Sequence, residues 1–329
     1  MPKWGKYRSV ISMGIIFTVT IVLGMFLSLS FMDMGYQAFE DPESLWIPVM
    51  YIILILIFSG VILFLAKKKK LGFIQGLVLF TTGMALMYVF IIPYDYLLGM
   101  MFTQSYIYRH YDALSYLLLF MCIGTAGILT YILYKYPEWY VVDTIGIIVG
   151  AGICAILGIS LGILPLFLLM IALAIYDAIS VYKTKHMIDL ADAVIEKRLP
   201  VVMVVPKSRN YSFRNQKSLK GTLKSKGKRE AMFMGLGDIV FPGSLVISAM
   251  TFLGDQVVIQ GQTYWEPTMA SFGVAITTLI GALVGYSILM RYVMKGRPQA
   301  GLPLLNSGAI LGFAVGYFLI FQDFSLGIF

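Results

Sequence analysis

Charged residues are scarce in this chain of 329 residues: only 13% are Asp, Glu, Lys or Arg, whereas 59% are hydrophobic. A soluble domain carries about 25% charged residues on its surface and about 45–50% apolar residues. So little charge excludes an ordinary soluble enzyme, a disordered chain and a fibrous repeat. The composition indicates a protein whose solvent is largely lipid.

Cysteine and histidine are also scarce. Cys122 and Cys154 both lie in apolar stretches, so we interpret them as buried apolar side chains and not as a disulfide or a metal site. The two histidines, His110 and His186, are far apart and fall on opposite sides of the membrane in the topology derived below. This excludes a metalloprotease centre of the H-E-x-x-H type. We therefore expect no metal and no other cofactor.

Long apolar runs without charges are abundant, and nine of them have about the 20 residues that cross ~30 Å of hydrocarbon. They are Ser9–Met32, Leu45–Ala66, Leu71–Pro93, Ala113–Tyr134, Trp139–Gly158, Leu161–Tyr182, Met232–Leu253, Thr268–Met290 and Leu302–Phe321. The fifth and sixth runs must fold back at Gly158–Gly162, because a single helix through both would be about 66 Å long. We predict an all-α polytopic membrane protein with nine transmembrane helices.

The positions of the basic residues predict the orientation of these spans. Of the 25 Lys and Arg residues, all but Arg109 fall at the N-terminus or in the loops after spans two, four, six and eight. The positive-inside rule then predicts a multi-pass protein of the cell membrane with a cytoplasmic N-terminus and an extracytoplasmic C-terminus. Because the basic charge reports topology, we expect contact with the lipid bilayer and its anionic head groups, and no binding of nucleic acid.

This topology divides the chain into three parts. Residues 1–182 contain spans one to six, residues 183–231 form a cytoplasmic loop, and residues 232–329 contain spans seven to nine. Within the loop, the apolar spacing of Thr184–Arg198 predicts an amphipathic helix at the membrane interface. The β-branched run Leu199–Pro206 predicts a short strand.

Pairs of small residues four positions apart predict close packing between helices in the membrane. The pairs and series with this spacing are Gly72/Gly76, Gly146/Gly150, Gly281/Gly285 and Gly308/Gly312/Gly316. They bear on structure and not on activity.

Two of the 17 acidic residues lie well inside predicted spans: Asp177 in the sixth and Asp238 in the seventh. Placing a carboxylate there costs about 2.5–3.5 kcal/mol or more, and no span contains a Lys, Arg or His that would neutralise it. Counted from the cytoplasmic ends of their spans, the two acids lie about 9 Å and about 13 Å deep. They therefore face each other if the two helices pack side by side.

Two carboxyl groups that share a site of low dielectric constant share a proton. Such a pair suits amide hydrolysis, because the ionised group activates water while the protonated group donates a hydrogen bond to the scissile carbonyl. Gly235, Leu236 and Gly237 precede Asp238, and the two glycines allow another backbone to come close. Tyr176, next to Asp177, offers a phenol hydrogen bond. Depth and pairing alone leave a hydrolase, a proton-coupled transporter and a structural role open.

Three segments together resemble the YD, GxGD and PAL motifs of presenilins and signal peptide peptidases, which are intramembrane aspartyl proteases. They are Tyr176-Asp177 in span six, Gly235-Leu236-Gly237-Asp238 in span seven and Leu302-Pro303-Leu304-Leu305 at the start of span nine. The resemblance covers nearly the whole chain, since the number of spans, the large loop and the order of the motifs agree as well.

The resemblance implies a presenilin-like bundle and an aspartic endopeptidase of the GxGD type, with Asp177 and Asp238 as the catalytic pair. It also implies that Pro303, Leu304 and Leu305 position the substrate. Leu304 stands where the family has Ala, a difference that bears on the width of the site and on side-chain preference. A proton-coupled transporter remains the alternative, although we find no clear inverted repeat of the kind transporters have.

A cytoplasmic loop between spans six and seven is similar to presenilins, because signal peptide peptidases are inverted. The compact loop and short termini resemble microbial, archaeal-type presenilin homologues. This implies transmembrane helical proteins or peptides as substrates and no obligatory accessory subunits, and it leaves a homo-oligomer open.

The resemblance also suggests a role for the predicted strand. A substrate helix hides its scissile amides and must unwind, and strand addition to an exposed edge would hold the unwound peptide. Our hypothesis is that a run of five residues pairs with the substrate, a plain loop strand being the alternative. These residues are Val201, Val202, Met203, Val204 and Val205.

Overall fold

The computed structural model shows a mostly helical chain. It describes residues 3–39, 41–68, 70–184, 202–208, 211–213, 231–259, 262–295, 299–323 and 326. The described residues form ten α-helices and four short strands. The helices are α1 (Lys3–Asp33), α2 (Trp46–Lys67), α3 (Leu71–Met101), α4 (Gln104–Arg109), α5 (Tyr111–Lys135), α6 (Trp139–Ser160), α7 (Ile163–Ile179), α8 (Gly237–Phe252), α9 (Met269–Met294) and α10 (Leu302–Phe321). A π-helical turn, Ser180–Thr184, extends α7.

An apolar helix lies at each of the nine predicted spans. Seven of these helices, α1, α3, α5, α6, α7, α9 and α10, are long and apolar enough to cross a membrane. Two shorter apolar helices, Trp46–Ile62 within α2 and Gly237–Phe252, lie at the second and seventh spans. The all-α class is therefore confirmed, and the fold-back between the fifth and sixth spans occurs where predicted, since α6 ends at Ser160 and α7 begins at Ile163.

The start of the seventh span differs from the prediction. We expected a helix from Met232, but Ala231–Gly235 is a strand, β2, and α8 begins only at Gly237. β2 pairs antiparallel with β1 (Val202–Pro206). A short apolar run has no period that separates strand from helix, and pairing with β1 satisfies the backbone groups of both segments. Asp238 therefore lies in the first turn of α8 and not deep inside a helix.

The predicted strand in Leu199–Pro206 is confirmed over Val202–Pro206. Val201 and nearly all of the predicted amphipathic helix Thr184–Arg198 lie outside the described residues. A second hairpin, β3 (Asp255–Ile259) with β4 (Gln262–Glu266), follows the other end of α8 and had no counterpart in the sequence analysis.

Helix α6 lies at the centre of the bundle and contacts α1, α3, α5, α8 and β1. Most of its residues from Val142 to Ser160 are buried. Its C-terminal turn is also held from outside, because Ser160 Oγ accepts a hydrogen bond from the backbone N–H of Ala38 at 2.8 Å. Because α6 is central and held in place, it can position the helices and the strand that pack against it.

Close glycine packing occurs where α9 crosses α10. A Cβ atom on Gly281 would lie 2.3 Å from the carbonyl oxygen of Gly308, and one on Gly285 would lie 2.4 Å from that of Leu304. Gly72 and Gly76 have the same spacing, yet no atom lies within 4 Å of their Cβ positions. The small-residue prediction is therefore confirmed for α9 and α10 and wrong for Gly72/Gly76.

Candidate active site

Three segments meet at one end of the bundle, the end that the charge distribution predicts to be cytoplasmic. They are the last turn of α7 with Asp177, the junction of β2 and α8 with Asp238, and the start of α10 with Gly301 and Leu302. Helices α7, α8 and α10 contact one another in pairs. Their mutual packing brings together residues that are more than 60 positions apart in the chain.

Asp177 is buried, with 4% of its surface exposed, and its carboxylate faces the start of α10. The backbone N–H of Leu302 donates to its Oδ2 at 3.1 Å, and the N–H of Gly301 also donates to the carboxylate. The first N–H groups of a helix have no partner within the helix and lie at the positive end of its dipole. They therefore stabilise the ionised form of Asp177.

Asp238 approaches the same backbone segment. The N–H of Gly235 donates to its carboxylate, and the charge of Asp177 acts on it. A Cβ atom on Gly301 would lie only 2.8 Å from Asp238 Oδ2 and 3.0 Å from Oδ1. Both carboxyl groups therefore border Gly301. Asp177 accepts a hydrogen bond from its N–H, and Asp238 lies where a side chain on this residue would be.

The GxGD residues form the turn between strand and helix. Gly235 ends β2, and Gly237 is exposed at the start of α8. Leu236 is buried against α6, where a Cβ atom on Gly150 would lie 2.9 Å from its Cδ1. A Cβ atom on Gly235 would be 3.5 Å from Asp238 Oδ2, an ordinary contact. We expected the two glycines of this motif to let another segment come close. In the structure, the position at which a close approach requires glycine is Gly301.

Tyr176 does not take the position expected of it. Adjacent residues on a helix point about 100° apart, and Tyr176 is 37% exposed. Among the described residues, no hydrogen bond joins its hydroxyl to either carboxylate. A different tyrosine supports the site: the hydroxyl of Tyr182 accepts a hydrogen bond from the backbone N–H of Ala300 at 3.4 Å.

The Pro303-Leu304-Leu305 segment forms the first turn of α10. Proline fits there because the first N–H groups of a helix need no partner within it. Leu304 is half-buried and Leu305 is fully buried. One residue further, the side-chain amide of Asn306 donates to the carbonyl of Met170 at 2.9 Å and joins α10 to α7.

Sequence reasoning missed Gly301 and Asn306. A single glycine before a helix and a single amide inside a helix belong to no motif that could be recognised in the sequence. Their roles arise from what packs against them: the Asp238 carboxyl for Gly301 and the α7 backbone for Asn306.

The hypothesis that β1 pairs with substrate needs correction. The backbone N–H of Val204 donates to Oδ1 of Asp143 in α6 at 2.7 Å. Because successive N–H groups of a strand point to opposite edges, β1 uses one edge for α6 and the other for β2. Val202, Met203, Val204 and Val205 therefore lie between a helix and a strand. In the described part of the chain, no further strand pairs with the outer edge of β2.

Comparisons with known proteins agree with this geometry. The family model described as signal-peptide peptidase, presenilin aspartyl protease matches residues 13–322, which include both aspartates and the start of α10. Two solved structures of a presenilin family intramembrane aspartate protease, from crystals in space groups C222 and P2, are each 30% identical to this chain and cover 94% of it. The chain covers 99% and 97% of theirs, with TM-scores of 0.61 and 0.59. No curated protein matches the chain.

The match extends over nearly the whole length of this chain and of both solved structures. The molecule is therefore a membrane-embedded multi-pass protein with the fold of intramembrane aspartate proteases. The chain belongs to the signal-peptide peptidase and presenilin family of aspartyl proteases.

Proposed function

We propose that this protein is an aspartic endopeptidase that hydrolyses peptide bonds of single-span membrane proteins, with Asp177 and Asp238 as its catalytic pair. The observation that carries the proposal is the convergence of the buried Asp177 and the half-buried Asp238 on Gly301 and Leu302. The family's protease activity supports it, and it leaves the proton-coupled transporter without a supporting observation.

The surroundings of the two acids favour different protonation states. Two backbone N–H groups at the start of α10 donate to Asp177, whereas one, that of Gly235, donates to Asp238, and a charge on either acid disfavours a charge on the other. The single proton belongs to the pair as a whole. The arrangement with Asp177 ionised and Asp238 protonated is the one that these contacts support best.

Hydrolysis then needs no metal and no covalent intermediate. Asp177 takes a proton from water, the water oxygen attacks the scissile carbonyl carbon, and Asp238 donates a hydrogen bond to the carbonyl oxygen. As the tetrahedral intermediate collapses, the C–N bond breaks and the proton on Asp177 goes to the leaving nitrogen, while Asp238, which donates only a hydrogen bond, keeps its proton. The products are a carboxylic acid and an amine.

The substrate strand, in this proposal, adds to β2 and not to β1. Since Val204 directs its N–H towards Asp143, its partner Phe233 directs its own N–H and carbonyl away from β1, to the outer edge of β2. An unwound peptide added there would run beside the strand that leads into Asp238. Main-chain hydrogen bonds would hold the peptide while side-chain pockets select it.

The start of α10 supplies the other side of the site. Pro303 and Leu304 are half-buried next to the dyad, so we propose that they bound the space for substrate side chains. Leu304 is larger than the Ala that the family has at this position, so it leaves less space for the substrate side chains. We also propose the predicted orientation, with the dyad at the cytoplasmic end, and activity without accessory subunits.

The decisive experiment uses the purified protein in detergent with a single-span peptide. Asp177→Asn and Asp238→Asn should each abolish cleavage while the thermal unfolding transition stays near that of the wild type. Asp112→Asn is the matched control, because Asp112 lies exposed on α5, and it should cleave normally. Cleavage by a folded Asp177→Asn or Asp238→Asn variant would refute the dyad.

A further inference from the structure

Helix α6 has a buried carboxylate that the proposed chemistry does not use. Asp143 is 5% exposed, and the described residues give it one hydrogen-bond partner, the backbone N–H of Val204 in β1. A buried carboxylate is costly unless it is hydrogen-bonded. The 2.7 Å distance is typical of a charge-assisted hydrogen bond. The contact therefore joins α6 firmly to the middle of β1.

Two glycines continue this contact along the same face of α6. Asp143, Gly146 and Gly150 are spaced by three and four residues, so they lie above one another on the helix. A Cβ atom on Gly146 would lie 2.9 Å from the sulfur of Met203, next to Val204 in β1. A Cβ atom on Gly150 would lie 2.9 Å from Leu236, next to the dyad. One helix face thus holds both β1 and the GxGD turn.

A second carboxylate at the start of α6 holds the segment after β1. Glu138 accepts hydrogen bonds from Ser212 Oγ at 2.8 Å and from the backbone N–H of Phe213 at 3.1 Å. Phe213 is buried, and its ring lies 6.3 Å from that of Phe233 in β2. The described loop residues on this side are therefore attached to α6 at two separate points.

The Asp143 contact restricts the register of the sheet. In β1, the residues whose N–H groups point towards α6 are Val202 and Val204, and the next position, Pro206, has no N–H. A shift by one residue moves every side chain of β1 to the opposite face of the sheet. A shift by two in one direction places Pro206 opposite Asp143 and leaves the carboxylate without a donor. A slip between β1 and β2 also changes the residue that lies opposite Gly235, the last residue of β2, which donates to Asp238.

We propose that Asp143 is a positioning residue that sets the register of the β1–β2 sheet, and through it the alignment of the substrate with the catalytic pair. This inference rests on the proposed function and adds to it the part of the fold that decides which peptide bond is cut. A purely structural Asp143 would affect folding but not the position of cleavage.

The test compares Asp143→Leu, which keeps the branch at Cγ but has no acceptor, with Asp143→Asn, which keeps an acceptor oxygen. Cleavage sites of a single-span peptide are mapped by mass spectrometry, and kcat and KM are measured beside thermal unfolding. Asp143→Leu should spread cleavage over neighbouring bonds and lower kcat/KM by about 10- to 100-fold. Asp143→Asn should keep the wild-type cleavage site and most of the activity.

Val204→Pro provides an independent variant, because it removes the donor while α6 stays unchanged. The N–H of Val204 takes no part in the pairing with β2, so β1–β2 pairing survives. This variant should reproduce the Asp143→Leu products, and the double variant Asp143→Leu/Val204→Pro should show no further loss. Wild-type products and rates in both single variants would overturn the proposal. So would failure of both to fold, which would assign Asp143 to folding alone.

The same assay separates this inference from the proposed function. If Asp177→Asn and Asp238→Asn are inactive while Asp143→Leu cleaves as the wild type does, only the positioning role fails. If folded Asp177→Asn or Asp238→Asn still cleaves, the dyad itself fails, whatever Asp143 does.

Discussion

Substitution of Gly301 by alanine is the most direct test of the site geometry, because it adds one carbon atom beside Asp238. The new Cβ atom would lie 2.8 Å from Oδ2 and 3.0 Å from Oδ1 and Cγ, whereas ordinary contact begins at 3.4 Å. The carboxyl group must therefore move by about 0.6 Å. Gly301 has φ −80° and ψ −51°, so alanine is compatible with its backbone.

The substitution should therefore separate catalysis from stability. Alanine at a compatible helical position changes the free energy of unfolding little, or stabilises by about 0.4–1 kcal/mol. Misplacing a catalytic group by about 1 Å can cost about 100-fold, so we expect kcat to fall by about 10- to 100-fold. That loss corresponds to about 1.4–2.7 kcal/mol of the activation barrier.

Steady-state cleavage of a single-span peptide and thermal unfolding in the same detergent measure the two quantities. Gly127→Ala is the control, because its Cβ position on α5 has nothing within 4 Å. Gly235→Ala should lose less activity than Gly301→Ala, because its Cβ atom lies 3.5 Å from Asp238 Oδ2. A kcat within twofold of the wild type for folded Gly301→Ala would refute the described contact between Gly301 and Asp238.

Three further predictions concern the elements around the dyad. Asn306→Leu removes the hydrogen bond to the carbonyl oxygen of Met170, so it should lower the free energy of unfolding by about 1 kcal/mol and should also lower kcat. Unchanged denaturation and unchanged kinetics would contradict the link between α10 and α7. Gly281→Leu should destabilise the protein by at least about 1–3 kcal/mol, because its side chain would overlap the Gly308 carbonyl. Gly72→Leu should leave the unfolding temperature unchanged, and equal effects of these two substitutions would contradict the described packing. Phe233→Pro should abolish peptide cleavage without unfolding, because it removes an N–H from the outer edge of β2, and normal cleavage would exclude strand addition there.

Part of the fold could be predicted from sequence because hydropathy is a local property. Each of the nine apolar runs coincides with an apolar helix, and the fold-back before Ile163 follows from length alone. The two deep aspartates stood out for the same reason, since an acid within an apolar run is visible without any partner. Their meeting at one end of the bundle follows from the opposite directions of the two spans.

Where a segment depends on its partner, the sequence was ambiguous or misleading. The run from Met232 has the composition of a membrane helix, and only pairing with Val202–Pro206 makes its first part a strand. Spacing alone made Gly72/Gly76 and Gly281/Gly285 equivalent, but only the second pair faces another helix. Gly146 and Gly150 do pack closely, Gly146 against Met203 in β1 and Gly150 against both Leu236 and Thr20 of helix α1.

By itself, then, the sequence determined that the protein spans a membrane, where most of its helices lie and which two carboxylates fall well inside apolar runs. Only the tertiary structure decided which groups surround those carboxylates. Gly301 is needed because Asp238 packs on it, and Val204 is held because Asp143 reaches it from α6. Such contacts join residues about 60 positions apart, and a local pattern of hydropathy contains no information about which distant segments will pack together.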